Sequence, residues 1–181
     1  MDDDGYCANE EGNRSIGIAI ANAITTGSAP MPTKHKKYLF LGDSYLQGYS
    51  NNSTYYNDGW GIYCGNALGL STTDEQRDSN KGNTSSNLSD DAVDASFNDD
   101  YERLFAGGAR FAWGTQSETL SFKHMIQQAA TVKFPGYKFT DIVVCAGYGD
   151  RTYTKAEILT GIEAFVKMAK QYYPDANIYI G

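Results

Sequence analysis

Hydrophobic residues in this chain fall into short continuous runs, and several of the runs break on glycine. Tyr38-Leu39-Phe40-Leu41 stops at Gly42, Tyr101 to Ala106 stops at Gly107-Gly108, and Asp141-Ile142-Val143-Val144-Cys145-Ala146 stops at Gly147. Runs of four to six apolar residues ended by a turn residue predict strands, and continuous rather than alternating hydrophobicity predicts strands covered on both faces. A further strand is predicted to begin at Asn177-Ile178-Tyr179-Ile180.

Between these runs the period changes to that of helices. A helix is predicted from about Gly59 to Leu70, with Trp60, Cys64, Ala67 and Leu68 on one face. Another begins after Thr119 or Ser121 as cap, its Phe122, Met125, Ile126 and Ala129 following the i, i+3, i+4, i+7 pattern, and it ends by Pro135-Gly136. Thr154-x-x-Glu157 forms a capping box for a third, with Ile158, Ile162, Phe165, Val166, Ala169 and Tyr172 along one side and Pro174 as its stop. Strand, turn and helix in alternation predict a three-layer α/β/α domain with a parallel central sheet over residues 36–181.

Two stretches stand apart. Residues 1–35 read as an N-terminal extension and linker, or the remnant of a preceding module. Ile16 to Ile24 alternates like a strand, and Thr25 to Pro32 is rich in Pro, Gly and Ser. Residues 71–100 are dominated by Asp, Asn, Ser and Thr and read as a polar surface insertion; EF-hand spacing is absent from them.

Composition narrows the partners. A formal charge of −7 argues against nucleic acid or an anionic membrane surface. No run approaches the roughly eighteen apolar residues of a membrane span, and the acidic opening Met1-Asp2-Asp3-Asp4 is unlike a signal peptide. Cys7, Cys64 and Cys145 have neither disulfide-framework nor zinc-site spacing, and Cys145 reads as a small core residue. Fourteen tyrosines against eight phenylalanines suggest rings facing a sugar. No cofactor and no metal are expected.

In a parallel sheet the loops after successive strands gather at one edge, where such folds bind ligands. This brings Ser44 of Gly42-Asp43-Ser44 together with Gly107-Gly108 and with Gly147-Tyr148-Gly149-Asp150. A serine beside two glycine turns is what acyl transfer needs: a hydroxyl to attack a carbonyl and backbone N–H groups to hold the oxyanion. Each element also has a plain structural reading. Asp or Ser can cap a following helix, and glycine can serve only a strand-ending turn.

Gly42-Asp43-Ser44-Tyr45-Leu46, Gly107-Gly108 and Gly147-Tyr148-Gly149-Asp150 resemble, in order and spacing, the first three sequence blocks of the SGNH, or GDSL, hydrolases, a family of serine esterases with a flavodoxin-like fold. The resemblance implies that Ser44 is the nucleophile and lends its own N–H to the oxyanion. It implies a second backbone donor from Gly108, or from Gly107 in its place, and a supporting role for Asp150 as a brace or helix cap. It also exposes two departures. The family carries an asparagine amide where this chain has Gly149. Its general base is a histidine in a late Asp-x-x-His block, whereas the only histidines here are His35 and His124, neither placed for that role. The chain therefore reads as a C-terminally shortened member of the family, or one completed by another polypeptide.

The resulting expectation is an esterase that removes O-acetyl or similar small acyl groups from carbohydrate through a Ser44 acyl-enzyme. The alternative is a non-catalytic glycan-binding or attachment module on a degenerate hydrolase scaffold, with Trp60 or a loop tyrosine as the binding ring. An extracellular, cell-surface or phage-particle setting suits either. A nucleotide-binding domain is disfavoured because neither glycine turn has phosphate-loop spacing.

Overall fold

The structure, a computed structural model, describes residues 10–27, 37–47, 59–70, 94–97, 101–112 and 120–181. Its elements are α1 (Glu10–Gly27), β1 (Tyr38–Gly42), α2 (Ser44–Gln47), α3 (Trp60–Ala67), β2 (Asp94–Phe97), β3 (Tyr101–Phe105), α4 (Phe122–Gln128), β4 (Asp141–Cys145), α5 (Lys155–Tyr172) and β5 (Asn177–Ile180). The strands form one sheet in the order β2-β3-β1-β4-β5. From β3 to β5 all pairings are parallel, as predicted, while β2 joins β3 antiparallel. That outer strand comes from the stretch read as a polar insertion. Its sequence, Asp-Ala-Ser-Phe, is too short and polar to announce a strand.

Alternation along β1 explains the three layers. Tyr38 and Phe40 belong to a cluster with Trp60, Cys64, Tyr101 and Val143, whereas Leu39 and Leu41 belong to another with Leu104, Met125, Ile142 and Phe165. Successive strand side chains point to opposite faces, so both faces of the sheet are covered. Phe40 lies at the centre of the first cluster, with ring centroids 5.7 Å from Trp60 and 5.1 Å from Tyr101. On the other face Phe111 links α4 and α5 through Phe122 at 4.7 Å and Phe165 at 5.8 Å.

The largest correction concerns Ile16 to Ile24, which is helical rather than a strand. Asn13, Gly17, Ala21 and Ile24 are buried, a three- and four-residue spacing, while Ile18 is exposed. Alternating isoleucines imitate a strand, but the alanines between them favour a helix. The inward stripe consists mostly of small residues, which permits close packing. A Cβ on Gly17 would stand 2.4 Å from the Trp60 carbonyl oxygen, so α1 lies directly against α3. Ala21 and Ile24 thereby enter the cluster that holds Phe40.

Helix α3 is shorter than the predicted Gly59 to Leu70, and its Ala67 is exposed rather than on the buried face of Trp60 and Cys64; α2 was not predicted; α4 and α5 start where the sequence places them. Ser121 caps α4 by accepting from His124 N–H, and Thr154 with Glu157 forms the expected capping box on α5. After Gln128 the helix widens into a π turn over Ala129–Lys133 before Phe134 and the Pro135-Gly136 turn. Among the described residues no helix is long and apolar enough to cross a membrane.

Candidate active site

The parallel register brings three strand ends level. Gly42 lies opposite both Phe105 on β3 and Cys145 on β4, so the segments that follow these strands leave the same edge of the sheet. Ala106 N–H donates to the Gly42 carbonyl at 3.2 Å, joining the first two exits directly.

In the first turn the chain passes from β1 through Asp43 into the short helix α2, with Ser44 half-buried at its start. Leu46 N–H donates to the Asp43 carbonyl at 3.1 Å, and Tyr45 N–H donates to Asp43 Oδ1 at 3.0 Å. The Asp43 side chain thus holds the turn that displays Ser44. Asp43 is 1% exposed. Burial pushes its carboxyl up from the ordinary aspartate range to about 6; the hydrogen bond from Tyr45 opposes that rise, and the nearby Asp150 adds to it.

The second turn, Ala106-Gly107-Gly108-Ala109, is closed by Ala109 N–H donating to the Ala106 carbonyl at 3.0 Å. Gly108 has φ +77°, a left-handed conformation that glycine adopts without a Cβ penalty. Its surroundings are open: a Cβ placed there would have only Arg110 Nη2 nearby, at 3.9 Å.

The third turn is packed onto the second. A Cβ on Gly149 would lie 2.5 Å from the Ala109 carbonyl oxygen, 3.0 Å from that of Gly108 and 3.2 Å from Arg110 Cβ. The place where an asparagine side chain would begin is therefore filled by the neighbouring turn. Asp150, buried, accepts from Phe111 N–H at 3.0 Å and from Ala112 N–H at 2.7 Å. Its role is the predicted brace, but it braces the second turn rather than its own helix; Thr154 caps α5.

Other side chains line this edge. Tyr45 and Tyr148 meet edge-to-face at 6.1 Å, connecting the residue after Ser44 to the third turn. Arg151 lies 3.9 Å over the Tyr148 ring and donates from Nη1 to the Tyr148 carbonyl at 2.8 Å. Arg110 donates from Nε to the Gly108 carbonyl at 3.2 Å and from Nη1 to the Tyr153 hydroxyl at 3.0 Å. Their one sequence signal was position, within two or three residues of a glycine turn.

Ser44, Gly107, Gly108, Gly149 and Asp150 are thus gathered at one edge. His124 is not. His124 sits on α4 with its Nε2 3.2 Å from Gln128 Nε2 one turn along, and His35 lies outside the described residues, as do Tyr55 and Tyr56. Trp60 is wholly buried behind the sheet, which removes it as a candidate sugar-binding ring. Cys145, at the end of β4, is a partly buried packing residue whose thiol is pushed up to about 11, by burial first and by Asp43 second, so it is no nucleophile at neutral pH.

Fold and site together define an open α/β domain with a serine-bearing turn at the carboxyl edge of its parallel strands. No family model and no curated protein matches the sequence. The fold is similar to solved structures of family two carbohydrate esterases. One is an active-site mutant from Clostridium thermocellum, at 16% identity and a TM-score of 0.48, covering 84% of this chain and 44% of that one. A second is the Clostridium thermocellum esterase in complex with cellohexaose, at 17% identity and a TM-score of 0.47 with the same coverage. A third is the enzyme with its carbohydrate binding domain from Corynascus thermopiles (Myceliophthora fergusii), at 17% identity and 0.47, covering 84% of this chain and 46% of that one. The chain spans less than half the length of each of these proteins.

Proposed function

We propose that this chain carries the nucleophile of an SGNH-type serine esterase acting on small acyl groups, O-acetyl groups on carbohydrate foremost. The observation that carries the reading is the convergence of the Ser44 turn with the open Gly108 turn, under the grip of Gly149 and Asp150. Ser44 Oγ attacks the ester carbonyl and the sugar hydroxyl leaves as the acyl-enzyme forms. Water then releases the carboxylic acid and restores the serine. The N–H groups of Ser44 and Gly108 are the oxyanion donors. Gly149 lends no side chain, a loss that costs on the order of a hundredfold to a thousandfold in rate where such a donor is removed. A base from outside the described residues takes the Ser44 proton, because a serine without one is a weak nucleophile.

The test is hydrolysis of p-nitrophenyl acetate by the purified chain. Turnover abolished by Ser44→Ala supports the reading, and the same rate in both proteins contradicts it.

A second reading, a glycan-binding module that retains the scaffold without turnover, is favoured by the crowding at Gly149, where no side-chain amide fits. It predicts glycan binding that survives Ser44→Ala in a chain that hydrolyses no ester.

A further inference from the structure

In a chain with more acidic than basic residues, two arginines flank the candidate site without a carboxylate partner among the described residues. Arg110 follows the Gly108 turn and is half-buried; Arg151 follows the Gly149 turn and is exposed. The carboxylate nearest in sequence, Asp150, is already engaged by the N–H groups of Phe111 and Ala112.

Both guanidinium groups are held in place by neutral contacts. Arg110 spans from the Gly108 carbonyl to the Tyr153 hydroxyl, with its Nη2 on the side where Gly108 is open. Arg151 Cζ lies 3.9 Å over the Tyr148 ring while one Nη1 hydrogen bond ties it to the Tyr148 carbonyl. A guanidinium carries its donors in a rigid planar fork, the geometry that matches a carboxylate. Tyr148 in turn touches Tyr45, the residue after Ser44, so this rim is continuous with the serine turn.

We propose that Arg110 and Arg151 form a subsite for a sugar carboxylate, so that the saccharide recognised at this edge is an acidic one carrying uronic-acid residues. This rests on the reading of the Ser44 turn as an ester site on carbohydrate. The two cations hold the acidic unit beside the turn, and the acyl group is presented to Ser44.

The test is calorimetric titration of the intact chain with a trimer of galacturonic acid, with the neutral trimer of galactose, and with inorganic phosphate. The acidic trimer is expected to bind at least about tenfold tighter than the neutral one, to weaken as salt rises, and to lose about tenfold on Arg151→Gln. Arg110→Gln should act in the same direction. Because Arg110 also ties Gly108 to Tyr153, its effect is read only alongside an unchanged melting temperature; Arg151, exposed, carries the test if Arg110→Gln melts early. Equal affinity for both trimers, no binding of either, or indifference to Arg151→Gln overturns the proposal. Phosphate binding as tightly as the acidic trimer overturns the saccharide assignment. Labelling of the unaltered chain by a neutral fluorophosphonate reads the esterase proposal separately. Labelling without acid preference sinks the subsite alone, whereas acid preference without labelling sinks the esterase.

Discussion

Two glycines meet where the second and third turns touch, and they are there for opposite reasons. Gly108 is required by its backbone: φ is +77° and the space around it is open. Gly149 is required by its neighbours: a Cβ would meet the Ala109 carbonyl oxygen at 2.5 Å, and its φ is not among the positive ones. One turn is open around its glycine, while the other presses against the first. In sequence the two look alike. The contrast also accounts for the missing asparagine, because close contact between the turns takes the room that its side chain would need.

The comparison can be broken by substitution, beginning with the clamp that joins the turns. Asp150→Ala strips the acceptor from two buried N–H groups, at about 1–3 kcal/mol each, and is expected to lower stability the most. Urea unfolding measures it, and a loss below about 1 kcal/mol would show that the clamp is dispensable. Gly149→Ala overpacks a rigid backbone contact and should cost about 1–3 kcal/mol. Gly149→Asn is expected to destabilise as well, without raising ester hydrolysis.

Beneath the first turn, Asp43→Asn probes the buried carboxyl. Its folded pKa of about 6 exceeds the ordinary aspartate value of 3.8, so the folded state binds more protons than the unfolded one between those limits. The native chain therefore loses stability relative to the asparagine variant as pH rises from about 4 through 6, by on the order of 2 kcal/mol. Paired unfolding curves at pH 4 and pH 7.5 check the sign; a native chain that gains stability relative to the asparagine variant between pH 4 and pH 7.5 would refute it. Gly108→Ala should be the mildest, near ~1 kcal/mol, since only the left-handed conformation opposes it. If it proved costlier than Gly149→Ala, the roles assigned to the two glycines would be exchanged.

The sheet was legible in the sequence where hydrophobicity ran continuously. Tyr38 to Leu41 and Ile142 to Cys145 are β-branched, aromatic or apolar on both faces, as a strand covered on both sides requires. Capping chemistry located the start of α5 at Thr154 and narrowed that of α4 to Thr119 or Ser121, because such caps have a local job that no distant contact changes. Elements defined by tertiary contact were hidden. The inward face of α1 is made of Asn13, Gly17 and Ala21, whose burial depends on α3 lying against them. β2 exists by pairing with β3 and has almost no hydrophobic signature of its own.

At the site, the gathering of Ser44, Gly108 and Gly149 followed from parallel topology. The engagement of Asp150 with Phe111 and Ala112, some forty residues back along the chain, did not, since a carboxylate in a turn has many local partners to choose from. Arg110 and Tyr153 were invisible for a similar reason: each is ordinary in sequence and acquires meaning only where two turns touch.

The central claim is that these turns present Ser44 as a nucleophile, and its reactivity is the direct measure. Incubation of the folded chain with a fluorophosphonate, followed by peptide mapping by mass spectrometry, should place one adduct on Ser44 and none on Ser44→Ala. A folded chain that stays unlabelled at Ser44, or is labelled equally well elsewhere, would contradict the account.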